Sequence, residues 1–316
     1  MEFSELITHL RTSLGLSQKD FADQLHTISS DLGSVDEGTV SRWERKKTKP
    51  SLARQIAIAR HYGQIGVFRS WVREHYQGER GPRAPDPMAM RFSHLNGYSD
   101  NVYDPRNIAL TVTRGLPAEL GVTHPQLLPV TRLLGAPVGA LAVGFEAGLY
   151  TGESVLIESG NKIAGHLSYV MARPQVLLDS CLAESGVGNE SARLLTAGTG
   201  EVMYLYSSFS SHVDVYRYQV AYLLDLFDRD RHVEWCLLHN ASEGGKALIK
   251  ALGGTIIGRG PEKEFGGVKI GHKHYAWALS MVRVVDFLSS EMAAMELDIG
   301  QTGLVERVDS KPRALS

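Results

Sequence analysis

The stretch SVDEGTVSRWERKKTKPS, Ser34 to Ser51, sets Arg42, Arg45, Lys46, Lys47 and Lys49 within eight positions of a chain whose formal net charge is −2. Its reading decides the fold of everything around it. A short helix opens at Asp36, or at Ser34 if the Ser34-x-x-Glu37 capping box prevails, and runs to about Arg45. Val40 and Trp43 share its inner face. Before it, the chain turns at Gly15, and Ser17 caps a helix that begins Gln18-Lys19-Asp20. After it, Lys49-Pro50-Ser51 closes a basic loop and opens the next helix. Two short helices followed by a basic loop are the outline of a helix-turn-helix.

Working outward, the periodicity stays helical from the start of the chain to Gln77. Leu6, Leu10 and Leu14 form one stripe, Phe21, Ala22 and Leu25 a second, Leu52, Ile56 and Ala59 a third, and Val67, Trp71 and Val72 a fourth, so that five short helices are predicted. QGERGPRAPDPM (Gln77–Met88), rich in Gly and Pro, supports neither helix nor strand and reads as a semi-stiff spacer. Residues 1–77 are expected to form an all-α domain, 78–106 a linker and 107–316 a second domain. In the second domain SVLIES (Ser154–Ser159), a Gly160-Asn161 turn and KIAGHLSYVMA (Lys162–Ala172) predict a β-hairpin. Further strands are predicted at Val202–Ser208, Val233–His239, Gly254–Arg259 and His274–Val282, with helices at Arg217–Phe227, Gly244–Leu252 and Asp286–Leu297. The fold class is therefore α+β overall, with a mixed sheet covered by helices in the second half.

Composition sets the outer limits. A length of 316 residues suggests about two domains, and 43% hydrophobic with 22% charged residues is ordinary for a globular protein. MEFSELITHLRTS lacks the apolar run of a secretory signal, and the longest apolar stretch, Leu133–Phe145, stops short of the roughly 20 residues that cross a bilayer. A cytoplasmic protein with no membrane partner is expected. Cys181 and Cys236 lie too far apart for a zinc knuckle and read as reduced core thiols. Residues 1–80 carry 12 Lys+Arg against 10 Asp+Glu, leaving 21 against 25 for the remainder, so a nucleic-acid reading must rest on local placement of charge.

That placement is specific. LRTSLGLSQKDFADQL (Leu10–Leu25) followed by TVSRWERKKTKPS (Thr39–Ser51) resembles the Cro/repressor-type, or XRE, helix-turn-helix family, over about 65 residues. The resemblance implies a partner, double-stranded DNA, and a role for each matching position. Gln18 would bind a phosphate and brace the reading helix. Glu37, Gly38 and Arg42 would face base edges, with Thr39 and Ser41 beside them. Arg45, Lys46, Lys47 and Lys49 would hold the phosphate backbone, and Arg11 and Glu44 would form a buried pair fixing one helix against another. Independently, Arg42 lies four residues after Gly38 and so on the same helix face, and arginine to guanine is the commonest specific base contact. The competing account is a basic helix end placed for the macrodipole. Against it, the charges come with the whole register of the motif.

Two features depart from the family. HTISSDLGSV, between Leu25 and Asp36, enlarges the turn by about eight residues, and it is expected to loop outward. Glu37 and Gly38 stand where the family often carries Gln, Arg or Ser; glutamate accepts from cytosine N4 yet repels phosphate, and glycine offers no side chain.

In the second domain SVLIESGNKIAGHLSYVMA and LHNASEGGKALIKALGGTIIG (Leu238–Gly258) resemble two segments of the Gcn5-related acyltransferase (GNAT) superfamily. The resemblance implies a coenzyme A pyrophosphate loop rich in glycine at the place that here follows VMYLYSS (Val202–Ser208), yet this chain has no glycine between Gly200 and Gly244, and Val213, Val215 and Tyr216 would crowd the approach. A ligand sensor or dimerisation body is expected there, with no catalytic residue and no resident cofactor; acetyl-CoA remains as the alternative.

Other groups are weaker. His272 and His274 alternate along a strand without a third ligand, so no metal is expected. His212 and Asp214 beside Ser210 and Ser211 lack a nucleophile elbow. His239, Asn240 and Glu243 read as caps where strand meets helix, and the run Leu127–Tyr150 as a helix pair under the sheet or a pocket lining. The tail helix with Phe287, Leu288, Met292, Met295 and Leu297 suits a partner subunit or its own domain. Three functions stay in play: a homodimeric transcriptional regulator, with a small-molecule ligand or protein partner acting on its second domain; a DNA-recruited acetyltransferase; and an antitoxin-like autorepressor that masks a protein partner.

Overall fold

The computed structural model describes residues 1–78, 110–115, 137–159, 162–183, 185–198, 200–211 and 213–298. The expected linker, apart from its first residue, and the Gly160-Asn161 turn lie outside them. The chain forms two units: one takes residues 1–78, 224–231 and 285–298, the other the rest of the described residues.

The first unit is helical. Its N-terminal part contains α1 (Phe3–Ser13), α2 (Gln18–His26), a 3-10 turn (Ser30–Leu32), α3 (Glu37–Glu44), α4 (Leu52–His61) and α5 (Ile65–Gly78), the five helices that the periodicity predicts. α2, α3 and α4 each start at a capping side chain. Ser17 accepts from the Asp20 amide, Asp36 from the Thr39 amide at 2.6 Å, and Ser51 from the Arg54 amide. Asp36, and not Ser34, is therefore the cap of α3. The stripes converge on a core in which Leu6, Ile7, Phe21, Leu25, Val40 and Ile56 are all 0–1% exposed. Leu14 belongs to no stripe: it caps the end of α1, where the helix face has turned away, and is 47% exposed.

The enlarged turn does not loop free of this core. Leu32 and Val35 are buried in it, and His26 Nε2 lies 2.6 Å from the Val35 carbonyl oxygen, closing the turn on itself. Its extra residues supply apolar side chains, and burying those outweighs leaving the loop in water.

The second unit is built on a seven-stranded sheet. Its strands are β1 (Leu110–Gly115), β2 (Thr151–Ser159), β3 (Lys162–Ala172), β4 (Glu201–Ser210), β5 (Val233–Asn240), β6 (Thr255–Arg259) and, after three short strands, β10 (Ala278–Arg283). The order is β1-β2-β3-β4-β5-β10-β6, and of the six junctions β4–β5 alone is parallel. A parallel pair needs a crossover, and α9 (Val213–Arg229) provides it. Pairing of β4 with β5 ends at Leu205–Leu238, while β3 stays with β4 as far as Ser210, so the carboxyl ends of the parallel pair part.

Four more helices belong to this unit or border its strands: α6 (Val138–Glu146), α7 (Pro174–Asp179), α8 (Asn189–Thr196) and α10 (Glu243–Ala251). Leu177 of α7 and Leu195 of α8 pack with Val170, Tyr204, Leu237 and Leu279 on one face of the sheet. On the other face the Tyr222 hydroxyl of α9 donates to Glu153 and lies 3.2 Å from that of Tyr169. Of the apolar run ending at Tyr150, α6 lies among the described residues, and positions 127–136 lie outside them.

The single strand predicted over His274–Val282 is two strands. β7 (Glu262–Lys263), β8 (Val268–Ile270) and β9 (Lys273–Tyr275) form a separate three-stranded sheet, and the chain leaves it at Ala276-Trp277 to enter β10. The break is set by tryptophan packing: the Trp277 ring fills the space over Gly260, where a Cβ would lie 2.6 Å from it, and the Trp277 carbonyl accepts from the Gly260 amide.

The tail is also two helices, α11 (Val284–Leu288) and α12 (Glu291–Asp298). Within the first unit α12 packs on α5, and the Tyr76 hydroxyl donates to the Ser289 carbonyl at 2.8 Å. In the same unit Arg60, 6% exposed, donates to the carbonyls of Phe227 at 3.1 Å and Asp230 at 2.7 Å. It thereby caps the end of α9, where helical carbonyls lack amide partners and a cation meets the negative end of the dipole.

Candidate nucleic-acid interface

The site is built on α3. Val40 and Trp43 turn inward, 0% and 4% exposed, and Trp43 meets Phe3 edge-on at 5.7 Å. That leaves Glu37, Gly38, Arg42 and Arg45 exposed on the other side, with Thr39 and Ser41 half-buried beside them. An eight-residue helix has only two turns, so burying the aromatic face fixes which side chains point out.

The two arginines are held along the helix. Arg42 Nη2 donates to Thr39 Oγ1 at 2.8 Å and lies 3.8 Å from Asp36 Oδ1. Arg45 donates to Ser41 Oγ at 2.7 Å and to the Ser41 carbonyl at 3.1 Å. The Asp36 carboxyl is held below the ordinary carboxylate range, first by its hydrogen bonds from Thr39 and then by the Arg42 charge. Thr39 and Arg42 are thus joined along α3, and a Cβ added at Gly38 would meet the Arg42 guanidinium at 3.6 Å, an ordinary contact.

Glu44 ties the motif together from behind. Its carboxylate accepts from Arg11 Nε at 2.6 Å and from Gln18 Nε2, and Arg11 Nη1 donates to the Leu16 carbonyl at 2.9 Å. The Glu44 side chain is 9% exposed. One carboxylate therefore joins α1, the turn after it, the first residue of α2 and the last of α3. Gln18 directs its amide at Glu44, which orients that side chain along the line between α2 and α3.

After Glu44 the chain leaves the helix through a left-handed residue. Lys46 has φ of 57°, the single non-glycine residue with positive φ among the described residues. Its amide bonds to the Trp43 carbonyl at 3.0 Å and the Lys47 amide to the Arg42 carbonyl at 2.8 Å, the paired bonds of a Schellman ending. Lys47 and Lys49 come next, both exposed. Lys46 Nζ lies 2.6 Å from Glu2 Oε2. The partnership of Glu2 is not marked in the sequence. The pattern Glu2-x-x-Glu5 is a visible helix start, and Glu5 does accept from the Glu2 amide at 3.0 Å, but nothing local links position 2 to position 46.

The weaker groups are scattered. Ser210 donates to Gln219 and Ser211 to the Ala164 carbonyl, while His212 and the Asp214 side chain lie outside the described residues. His274 Nδ1 is 3.0 Å from the Gly266 carbonyl oxygen. Among the described residues no group of three or more His, Cys, Asp or Glu gathers as a metal site. The helix cap expected from His239, Asn240 and Glu243 is Ser242, which accepts from the Gly245 amide. His239 instead pairs with the Tyr204 hydroxyl at 3.1 Å, and Glu243 accepts from the Lys269 amide. Cys181 and Cys236 are buried and form no disulfide, and burial pushes both thiols up, Cys181 to about 11.

Residues 7–66 match the helix-turn-helix family HTH_3. The match runs from α1 through α4 to the first residues of α5, so that this part of the chain is a helix-turn-helix, and it does not extend to the second unit. The chain matches no curated protein. Among solved structures it is similar to FeeM, an N-acyl amino acid synthase from uncultured soil microbes, with 12% identity and a TM-score of 0.33 over 60% of this chain and 98% of that one. Among the described residues no helix is long and apolar enough to cross a membrane.

Proposed function

We propose that this chain is a DNA-binding transcriptional regulator of the cytoplasm. The observation that carries the reading is the coincidence of the matched motif with the exposed face of α3. Arg42 and its neighbours occupy the side of the helix that enters a major groove in this motif, and Arg45, Lys46, Lys47 and Lys49 cluster at its end, where phosphates run. Glu44 acts as the brace that keeps α3 at its angle to α2. Because one short helix reads few base pairs, the protein acts as a homodimer on paired half-sites. A genome-wide footprint with Arg42→Ala as control tests this: peaks that vanish in the variant support the assignment, and equal occupancy removes Arg42 as a specificity residue.

The second unit acts as a sensor or dimerisation body related to the acyltransferases. A transferase reading has one observation in its favour. The carboxyl ends of the parallel strands part after Leu205, and ligands of open sheets bind at such a fork. Against it, β4 ends at Ser210 and α9 begins at Val213, with Val215 and Tyr216 buried, which leaves no glycine loop for a pyrophosphate. Marked thermal stabilisation by acetyl-CoA would promote the transferase reading.

A further inference from the structure

Lys46 occupies a backbone conformation that favours glycine. A Schellman ending takes glycine at this position because any Cβ is strained there. Lysine carries strain there that glycine would not, and its side chain makes a contact that glycine could not: Lys46 Nζ lies 2.6 Å from Glu2 Oε2, with both side chains more than half exposed. Glu5 also faces the ammonium, and Lys49 also faces Glu2. Lys46 sits between Arg45 and Lys47 in the basic run after α3, and Glu2 comes from the other end of the motif, just before α1. A carboxylate that holds a surface ammonium at hydrogen-bond distance makes the same kind of charge-assisted contact as a phosphate oxygen.

Resting on the DNA-binding reading above, we propose that Glu2 is an intramolecular stand-in for a DNA phosphate: it holds the Lys46 ammonium in the free protein, must yield it to the duplex, and so sets a brake on binding. The exchange is between two oxyanions for one cation. Salt weakens the Glu2–Lys46 pair and the Lys46–phosphate contact alike, so the brake acts at low ionic strength and fades as salt rises.

The test is a double-mutant cycle on the full-length chain, with binding to a short labelled duplex of mixed sequence read by fluorescence anisotropy over a salt series. Glu2→Gln keeps an acceptor oxygen for the start of α1, and an unchanged melting temperature checks that. Expected are binding about two- to fivefold tighter for Glu2→Gln at low salt, the range set by exposed pairs, and a steeper loss with salt. Lys46→Gln binds more weakly, and adding Glu2→Gln to it changes nothing. Two results overturn the proposal: wild type binds but Glu2→Gln gains no affinity, or the gain persists in the Lys46→Gln background, which would assign it to the general field of Glu2. A wild type that binds no duplex at any salt sinks the DNA-binding reading and the brake together. Loss of affinity in Glu2→Gln with a lowered melting temperature is resolved by Glu2→Asp, which shortens the reach to Lys46: wild-type affinity there also counts against the brake.

Discussion

His166 should make the second unit acid-labile. It lies on β3, 1% exposed, with Nε2 2.7 Å from Ser207 Oγ and its ring stacked on Phe209 at 6.4 Å. Among the described residues Nδ1 has no hydrogen-bond partner. Burial disfavours the imidazolium and brings the group from its ordinary 6.5 down to about 4. Above pH 6.5 the folded and unfolded chains are both neutral at this residue, and it adds no pH dependence. As pH falls below 6.5 the unfolded chain takes up a proton that the folded chain refuses, so stability drops until the folded state also protonates near 4. The interval corresponds to about 3 kcal/mol. The assay is amide exchange of the β3 peptide across that interval, comparing wild type with His166→Gln, which keeps a polar partner for Ser207 but does not titrate. Carboxylates contribute equally to both, so the difference between the two curves isolates the imidazole. Parallel curves would refute the reasoning, because they would mean that the ring is hydrated or that protonation is met by a rearrangement.

Glu44→Gln leaves Arg11 without its anionic partner in a half-buried setting and weakens the hold on Gln18. A loss of about 1–3 kcal/mol in the helix-turn-helix domain is expected, read as a lowered melting temperature. Arg60→Met keeps the apolar stem but strands two carbonyls at the end of α9, and should cost about 1–3 kcal/mol, seen as faster amide exchange in residues 224–231. Leu32→Ala should cost about 2–5 kcal/mol, as for any fully buried leucine, whereas a turn looping into water would tolerate it without change in melting.

The parts of the fold that were readable in the sequence are those whose determinants are local. Ser17, Asp36 and Ser51 mark helix starts by residue type, and the Val40–Trp43 face comes from a period of 3.6. The β2–β3 hairpin was visible because its strands alternate and a Gly-Asn pair divides them. What failed was decided by contacts distant in sequence. Nothing near Leu32 says whether a long turn points into a core or away from it. Nothing in HYAWALSMV marks the place where a tryptophan packs on Gly260 and ends one strand. The apolar side of the tail was recognised, but its seat on α5 depends on a surface built two hundred residues earlier. Leu110–Gly115 alternates only over a few positions and passed unnoticed as a strand. At the site, the face of α3 was set by its pattern, and Glu2 was not, since a pairing across 44 positions leaves no trace in either segment.

The balance of charge around α3 has a consequence for how such a surface would discriminate. A strongly basic domain binds any duplex, and its specific complex then competes with a genome of weak ones. Here the first 80 residues are only +2, from 12 cations and 10 anions; Asp36 and Glu2 lie against Arg42 and Lys46, cations that would meet DNA, and Glu37 is exposed on the same helix. Each anion lowers affinity for phosphate in general. The Glu2–Lys46 pair must open before any phosphate is met, so it costs every complex alike, whereas Glu37 would penalise sequences that offer it no donor. Specificity is a difference of affinities, and lowering the non-specific term enlarges it as surely as adding a base contact does. On this reasoning, neutralising Glu37 should raise affinity for unrelated duplex more than for the genuine site, while neutralising Glu2 should raise both alike. Competition binding between the two measures that ratio directly, and a ratio that stays constant or grows in Glu37→Gln would show that this carboxylate plays no part in discrimination.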